Sequence, residues 1–282
     1  MNKWIAGARP KTLPAAIAPV AVGTALAGNS IDPLLALLAL LVSLALQIGV
    51  NYANDYSDGV KGTDDNRVGP MRLVASGAAA AHQVKIAAYI ALGCGAFFGL
   101  LLALQTSLWL IAVGAIAIAA AWGYTGGKNP YGYFGFGEFA VFVFFGLIAT
   151  MGTYFAQTGT LTIDSLLVAI PMGTLSCALL AINNLRDRAA DELVGKRTLA
   201  VRLGDSSARR AFTALLLLSH LSVLFLFKPW ALLTLLLLPM TYSLIKAIRA
   251  GAIGVALIAL LGKTGKLQLR FAILLSLGLL LS

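Results

Sequence analysis

The stretch NYANDYSDGVKGTDDNR, Asn51 to Arg67, holds four of the chain's eleven acidic residues, Asp55, Asp58, Asp64 and Asp65. Only 11% of the 282 residues are charged, so this density is a local exception. An apolar run, Pro33 to Val50, leads directly into it. The acids therefore fall where an apolar helix meets water. A second run, NNLRDRAADELVGKR from Asn183 to Arg197, follows another apolar run in the same way.

Outward from these two runs, the composition decides the class. Hydrophobic residues make up 59% of the chain, with a mean hydropathy of +0.88. Apolar runs of about 17 or more residues recur along its length, the pattern of a helical protein that crosses a bilayer several times. The short alternating segments of a closed barrel are missing. The expected fold is an all-α integral membrane protein, a single polytopic domain over 1–282. Polar breaks delimit nine expected spans: 12–28, 33–54, 84–104, 108–124, 137–156, 163–183, 210–227, 229–246 and 267–282. Residues 247–266, broken by glycine and lysine, read as a short helix at the inner surface. Asp32 before Pro33 reads as a helix N-cap, and Asp164 as the cap of the sixth span. The first apolar run is broken by Pro14 and Pro19, which argues against a cleaved leader.

Charge fixes an expected orientation. Of 21 basic residues, all but Lys228 lie at the amino terminus or in and next to the breaks after even-numbered spans. The net charge of +10 is thus a topological signal rather than a nucleic-acid footprint, with the amino terminus inside and the carboxyl terminus outside. Four crossings separate the exits of the second and sixth spans, so both acidic runs emerge on one cytoplasmic face. Their equivalent places in successive groups of four helices suggest a weak parallel internal repeat.

If the second span stays helical past Val50, Asn51, Asp55 and Asp58 at i, i+4 and i+7 share a face. Asn183, Asp187 and Asp191 at i, i+4 and i+8 do the same. Oxygen ligands without cysteine or histidine suit Mg²⁺, with Mn²⁺ as an alternative, rather than zinc. Cys94 and Cys177 both lie inside apolar runs, away from such a site. A single charge run is usually a solvated loop, whereas two Asn-x-x-x-Asp runs on one membrane face point to a shared metal site. Magnesium favours few carboxylates plus substrate phosphate. Lys61, Arg67, Arg72, Arg186, Lys196 and Arg197 supply phosphate donors. In a bilayer, the fitting ligand is the diphosphate of a lipid.

These blocks, with ARPKTLPAAIAPVAVGTALA, GPMRLVASG and NPYGYFGFGE, resemble the UbiA superfamily of intramembrane prenyltransferases over nearly the whole chain, and within it the branch that prenylates 1,4-dihydroxy-2-naphthoate. The resemblance implies nine transmembrane helices around a central cavity, in a multi-pass protein of a prokaryotic plasma membrane. It also implies polyprenyl diphosphate and 1,4-dihydroxy-2-naphthoate as substrates. The second motif, Asn183, Asp187 and Asp191, matches in full. In the first, Asp58 comes one residue early after Asn51 and Asp55, and Asp64 stands as a further ligand candidate. Lys128, Arg67, Arg72 and Lys61 are expected to offset charge on the leaving diphosphate, and Tyr124 to face the prenyl cation. Arg9 is expected at the diphosphate or the acceptor carboxylate, with a headgroup anchor as its plain alternative. Phe142, Phe144, Phe145 and Trp122 are candidate tunnel aromatics. Glu138, His82 and His220 read as structural. So does the Gly262-Lys263-Thr264 triplet, because Leu257 stands where a phosphate loop needs glycine. Prenyl transfer to another ring, such as 4-hydroxybenzoate or homogentisate, is the nearest alternative. A lipid phosphotransferase would carry its acids in one motif, and an ion-coupled transporter would carry them inside its spans.

Overall fold

The computed structural model describes residues 2–63, 69 and 71–282, and the segment 64–68 that holds Asp64 and Arg67 lies outside them. The described chain is helical, without a strand among the described residues. A short α1 (Lys3–Gly7) precedes α2 (Pro14–Leu26), α3 (Pro33–Val60), α4 (Ala81–Gln105) and α5 (Trp109–Gly123). Next come α6 (Gly137–Thr158), α7 (Ile163–Leu193), α8 (Leu199–Leu226), α9 (Pro229–Arg249) and α10 (Val255–Leu280). Six of them, α3, α4, α6, α7, α8 and α9, are long and apolar enough to cross a membrane. The helices α2 and α5 are apolar but shorter.

Both acid-bearing helices continue through their motifs, as the face argument requires. Asp32 caps α3, its Oδ1 accepting from the N–H groups of Leu34 at 2.7 Å and Leu35 at 3.3 Å. Such a cap is worth about 1 kcal/mol. At α7 the cap is Thr162, not Asp164. The Thr162 hydroxyl accepts from Ser165 N–H at 3.2 Å, and Asp164 sits in the first turn.

The carboxyl-terminal part differs from expectation. Residues 247–266 do not form a separate surface helix: the chain turns at Gly251 and Gly254, both at positive φ, and then α10 runs unbroken. Lys263, Lys266 and Arg270 recur at i, i+3 and i+7 on one exposed face. Leu260, Leu261, Leu267 and Phe271 are buried on the other. The charges that break the hydropathy profile thus leave the helix intact. Gly204, at φ 75°, also kinks α8 near its start.

The largest buried apolar cluster joins α2, α7, α8, α9 and α10 through Val22, Met172, Leu175, Phe212, Leu244 and Phe271. Large apolar residues such as Leu104, Trp109, Ile116, Phe139 and Leu236 point outward, as lipid-facing surface does. Small residues let helices approach: a Cβ on Gly146 of α6 would come 2.5 Å from the Gly173 Cα of α7. Around Gly146 the helix widens into a π segment, Phe142–Ile148, a form frequent at functional sites.

Candidate active site at the mouth of the cavity

A cavity of about 770 Å³ lies between α2, α3, α4, α5, α6 and α7. Its deep wall is apolar and small, with Gly95, Gly99, Gly114, Ala117 and Ala121 from α4 and α5. Its charged lining collects at one end, where α3 and α7 carry the two acidic runs.

Within the first acidic run, the α3 residues facing the cavity are Asn51, Asn54 and Asp58, at i, i+3 and i+7. Asp55 faces elsewhere. It is fully buried, and its two carboxylate oxygens accept from backbone N–H groups, Leu73 at 2.9 Å and Val74 at 3.1 Å. Asp55 thereby ties the segment after the first motif to α3, and Arg72, the residue before Leu73, lines the cavity. On α7, Asn183, Asn184, Asp187 and Asp191 all line it. Asn54-x-x-x-Asp58 has the same spacing as Asn183-x-x-x-Asp187. Of the expected Asn51, Asp55 and Asp58, the first and last line the cavity and Asp55 does not.

The two jaws meet. The ammonium of Lys196 stands 3.4 Å from Asp58 Oδ2 and 3.7 Å from Asp191 Oδ1. A cation of the protein itself thus sits where carboxylates of the two runs converge, and this is the fit test for a metal. The donors are all oxygens. Among the described residues no group of three or more His, Cys, Asp or Glu is placed to hold a metal ion on its own, so other oxygens would have to complete a metal's shell. Few carboxylates with room for substrate oxygens is the arrangement magnesium prefers. Asp187 is held by Arg186, whose Nε and Nη2 donate to its two oxygens at 2.8 and 2.7 Å, while Nη2 also reaches Asn183 Oδ1 at 2.8 Å.

Other expected residues divide. Arg9 and Tyr124 line the cavity. Arg9 adopts a left-handed backbone at φ 53°, costly for a non-glycine residue, and its Nη2 reaches Asn51 O at 3.3 Å. Lys61 turns away and donates to Thr125 O at 2.8 Å and Gly127 O at 3.3 Å. Its pKa is lowered by burial, against the opposing pull of Asp58. Lys128 and Arg197 are exposed, outside the cavity lining. Of the aromatics, Phe144 and Phe145 line the cavity. Phe142 packs on Gly173, and Trp122 stacks against Tyr89 with ring centroids 5.0 Å apart.

Several positions at the site escape the sequence reading. Asn54 is one, its Oδ1 accepting from Thr125 Oγ1 at 2.7 Å. A second is Gln47, with Thr12, in a polar group around the expected Asn51. Gln47 Nε2 and Asn51 Nδ2 donate to Thr12 Oγ1 at 3.1 and 3.2 Å, and Asn51 Nδ2 also reaches Ala8 O at 3.0 Å. The third is Tyr133, whose hydroxyl donates to Asp58 Oδ1 at 2.8 Å. Glu138 accepts from Asn184 Nδ2 at 3.0 Å and so braces a cavity residue from behind. His220 is buried against Thr241 Oγ1 at 2.9 Å, between α8 and α9 and outside the cavity lining.

An all-helical membrane protein whose apolar cavity is closed at one end by two opposed carboxylate faces is built to hold the charged head of an apolar substrate. The model of the UbiA prenyltransferase family matches residues 16–278, and the chain belongs to that family. It is 50% identical over 275 residues to a 1,4-dihydroxy-2-naphthoate octaprenyltransferase of Mycobacterium tuberculosis, covering 96% of this chain and 94% of that one. It is 40% identical over 294 residues to the Escherichia coli protein of the same name, covering 99% and 95%. Among solved structures, a UbiA homolog from Archaeoglobus fulgidus bound to GPP and Mg²⁺ superposes with a TM-score of 0.70 at 13% identity, over 98% of this chain and all of that one.

Proposed function

We propose that this chain transfers a polyprenyl group from its diphosphate to 1,4-dihydroxy-2-naphthoate, with loss of carbon dioxide and diphosphate, giving a demethylmenaquinol. The observation that carries the reading is the convergence of Asp58 and Asp191 on one cation at the mouth of a cavity whose remaining wall is mostly apolar. The naphthoate octaprenyltransferases it resembles supply the substrate class.

Asp58, Asp187 and Asp191, with the amide oxygens of Asn54 and Asn183, are the groups that would hold magnesium, and Mn²⁺ suits the same oxygens. When bound, magnesium neutralises the charge that grows on the departing diphosphate. Arg72 and Lys196 add hydrogen-bond donors to the diphosphate oxygens. Tyr124 and Phe144 offer aromatic faces to the positive charge that develops on the allylic carbon as its bond to oxygen breaks. The tail lies along the small-residue wall of α4 and α5. The acceptor brings a carboxylate and two ring hydroxyls. The Arg9 guanidinium suits the carboxylate, and the carbonyl oxygens of Gln47 and Asn51 suit the hydroxyls. The excess of basic residues at this end supports a mouth that opens toward the cytoplasm.

The test is conversion in membranes containing the protein, with a polyprenyl diphosphate, Mg²⁺ and 1,4-dihydroxy-2-naphthoate. A prenylated naphthoquinol, lost on chelation, is expected. Product from 4-hydroxybenzoate but none from the naphthoate would overturn the acceptor assignment.

A further inference from the structure

Tyr133 lies outside both acidic runs, yet it joins them. It sits in a single turn of 3-10 helix, Tyr131–Phe134, closed by Gly135 at φ 81°. Its backbone carbonyl accepts from Arg197 N–H at 3.0 Å, which ties the turn to the end of the second run. Its hydroxyl donates to Asp58 Oδ1 at 2.8 Å, in the first run. Its ring is flanked by two ammonium groups, Lys61 Nζ at 4.8 Å and Lys196 Nζ at 5.1 Å from the centroid. Each contact is within the range where a cation is attracted by an aromatic face.

The consequence is a fixed division of the Asp58 carboxylate. With Oδ1 engaged by Tyr133, Oδ2 is the oxygen turned toward Lys196 and, through it, toward Asp191. The lysine in turn is anchored by its own backbone, where Lys196 N–H reaches Asp191 O at 2.8 Å across Gly195, at φ 75°. Two opposed carboxylates in a low-dielectric mouth repel unless a cation lies between them. We propose that Lys196 is the resident cation of the site, holding Asp58 and Asp191 together before metal enters, and that Tyr133 is the positioning residue that aims Asp58 at it. Asp58 and Asp191 would hold Mg²⁺ in place of the lysine, and the Lys196 ammonium would then donate to the diphosphate oxygens. Lys61, held by Thr125 and Gly127, stays on the ring as the fixed counterpart.

This inference rests on the magnesium–diphosphate reading and makes opposite predictions for two ligands. Binding is measured by calorimetry on the purified full-length protein, first with Mg²⁺ alone, then with inorganic diphosphate in the presence of Mg²⁺. Lys196→Met removes a competing cation, so Mg²⁺ alone should bind about tenfold tighter, while diphosphate binds about tenfold more weakly. Tyr133→Phe should weaken Mg²⁺ alone by about threefold to tenfold. Lys196→Gln serves as the second variant if the methionine disturbs folding, which thermal unfolding reports. Lys196 variants that bind Mg²⁺ alone no tighter than the parent would overturn the proposal. Asp191→Asn separates the two levels. Loss of Mg²⁺ binding there upholds the metal reading whatever the lysine does, and unchanged binding removes the ground beneath both.

Discussion

Asp55→Ala should act on stability before chemistry, the reverse of what its place in an acidic motif suggests. The carboxylate is fully buried and accepts from two backbone N–H groups, Leu73 and Val74. Alanine leaves both donors without that acceptor, and an unsatisfied buried donor costs about 1–3 kcal/mol, so the loss is about 2–6 kcal/mol. At about 2–4 °C per kcal/mol for a chain of 150–250 residues, the midpoint of thermal unfolding in detergent should fall by roughly 5 °C or more. Asp55→Asn keeps one acceptor oxygen and should fall by about half as much. The fraction that remains folded should still bind Mg²⁺, with weaker binding of diphosphate because Arg72 is no longer held at the cavity. An Asp55→Ala protein with unchanged thermal stability but no Mg²⁺ binding would refute this reasoning and return Asp55 to the metal.

Asn54→Ala should show the complementary pattern: unfolding within a few degrees of the parent, with Mg²⁺ binding weakened by about tenfold, since it removes an amide oxygen from the cavity face. A variant that binds Mg²⁺ as the parent does would remove Asn54 from the ligand set. For orientation, Gly62→Cys and Thr158→Cys should be labelled by a membrane-impermeant maleimide from opposite sides of the membrane, Gly62→Cys from the cytoplasm. Labelling of both from one side would contradict the even-span topology between the runs.

The division between what the sequence discloses and what it hides is physical. Apolar runs and the lopsided distribution of lysine and arginine disclose a polytopic helical protein, because bilayer thickness and charge transfer constrain composition directly. The continuation of α3 and α7 through their motifs is legible too, since Asn and Asp recur at helical intervals. Which of two neighbouring residues faces the cavity is not. Asn51 to Asp55 and Asn51 to Asn54 are both one turn, and periodicity alone accepts either. The spacing of Asn183 to Asp187 is matched equally by Asn51 to Asp55 and by Asn54 to Asp58, so it does not choose between them. Tyr133 was illegible for a different reason: its role depends on a loop closing between two helices distant in sequence. Lys263, Lys266 and Arg270 misled because a hydropathy window averages around the helix, whereas the charges occupy one face. Thr162 displaced Asp164 as a cap because the side chain that counts is the one just before the first turn.

The central claim is that one carboxylate from each run acts in a single cation-bridged diphosphate site. It is tested most directly by Mg²⁺-dependent binding of geranyl diphosphate to Asp58→Asn, Asp191→Asn and the double variant. Groups that hold one bridge lose it once, so each single variant should lose nearly as much Mg²⁺-dependent affinity as the double. Losses that simply add, or a single variant that keeps its Mg²⁺ dependence, would contradict a shared site.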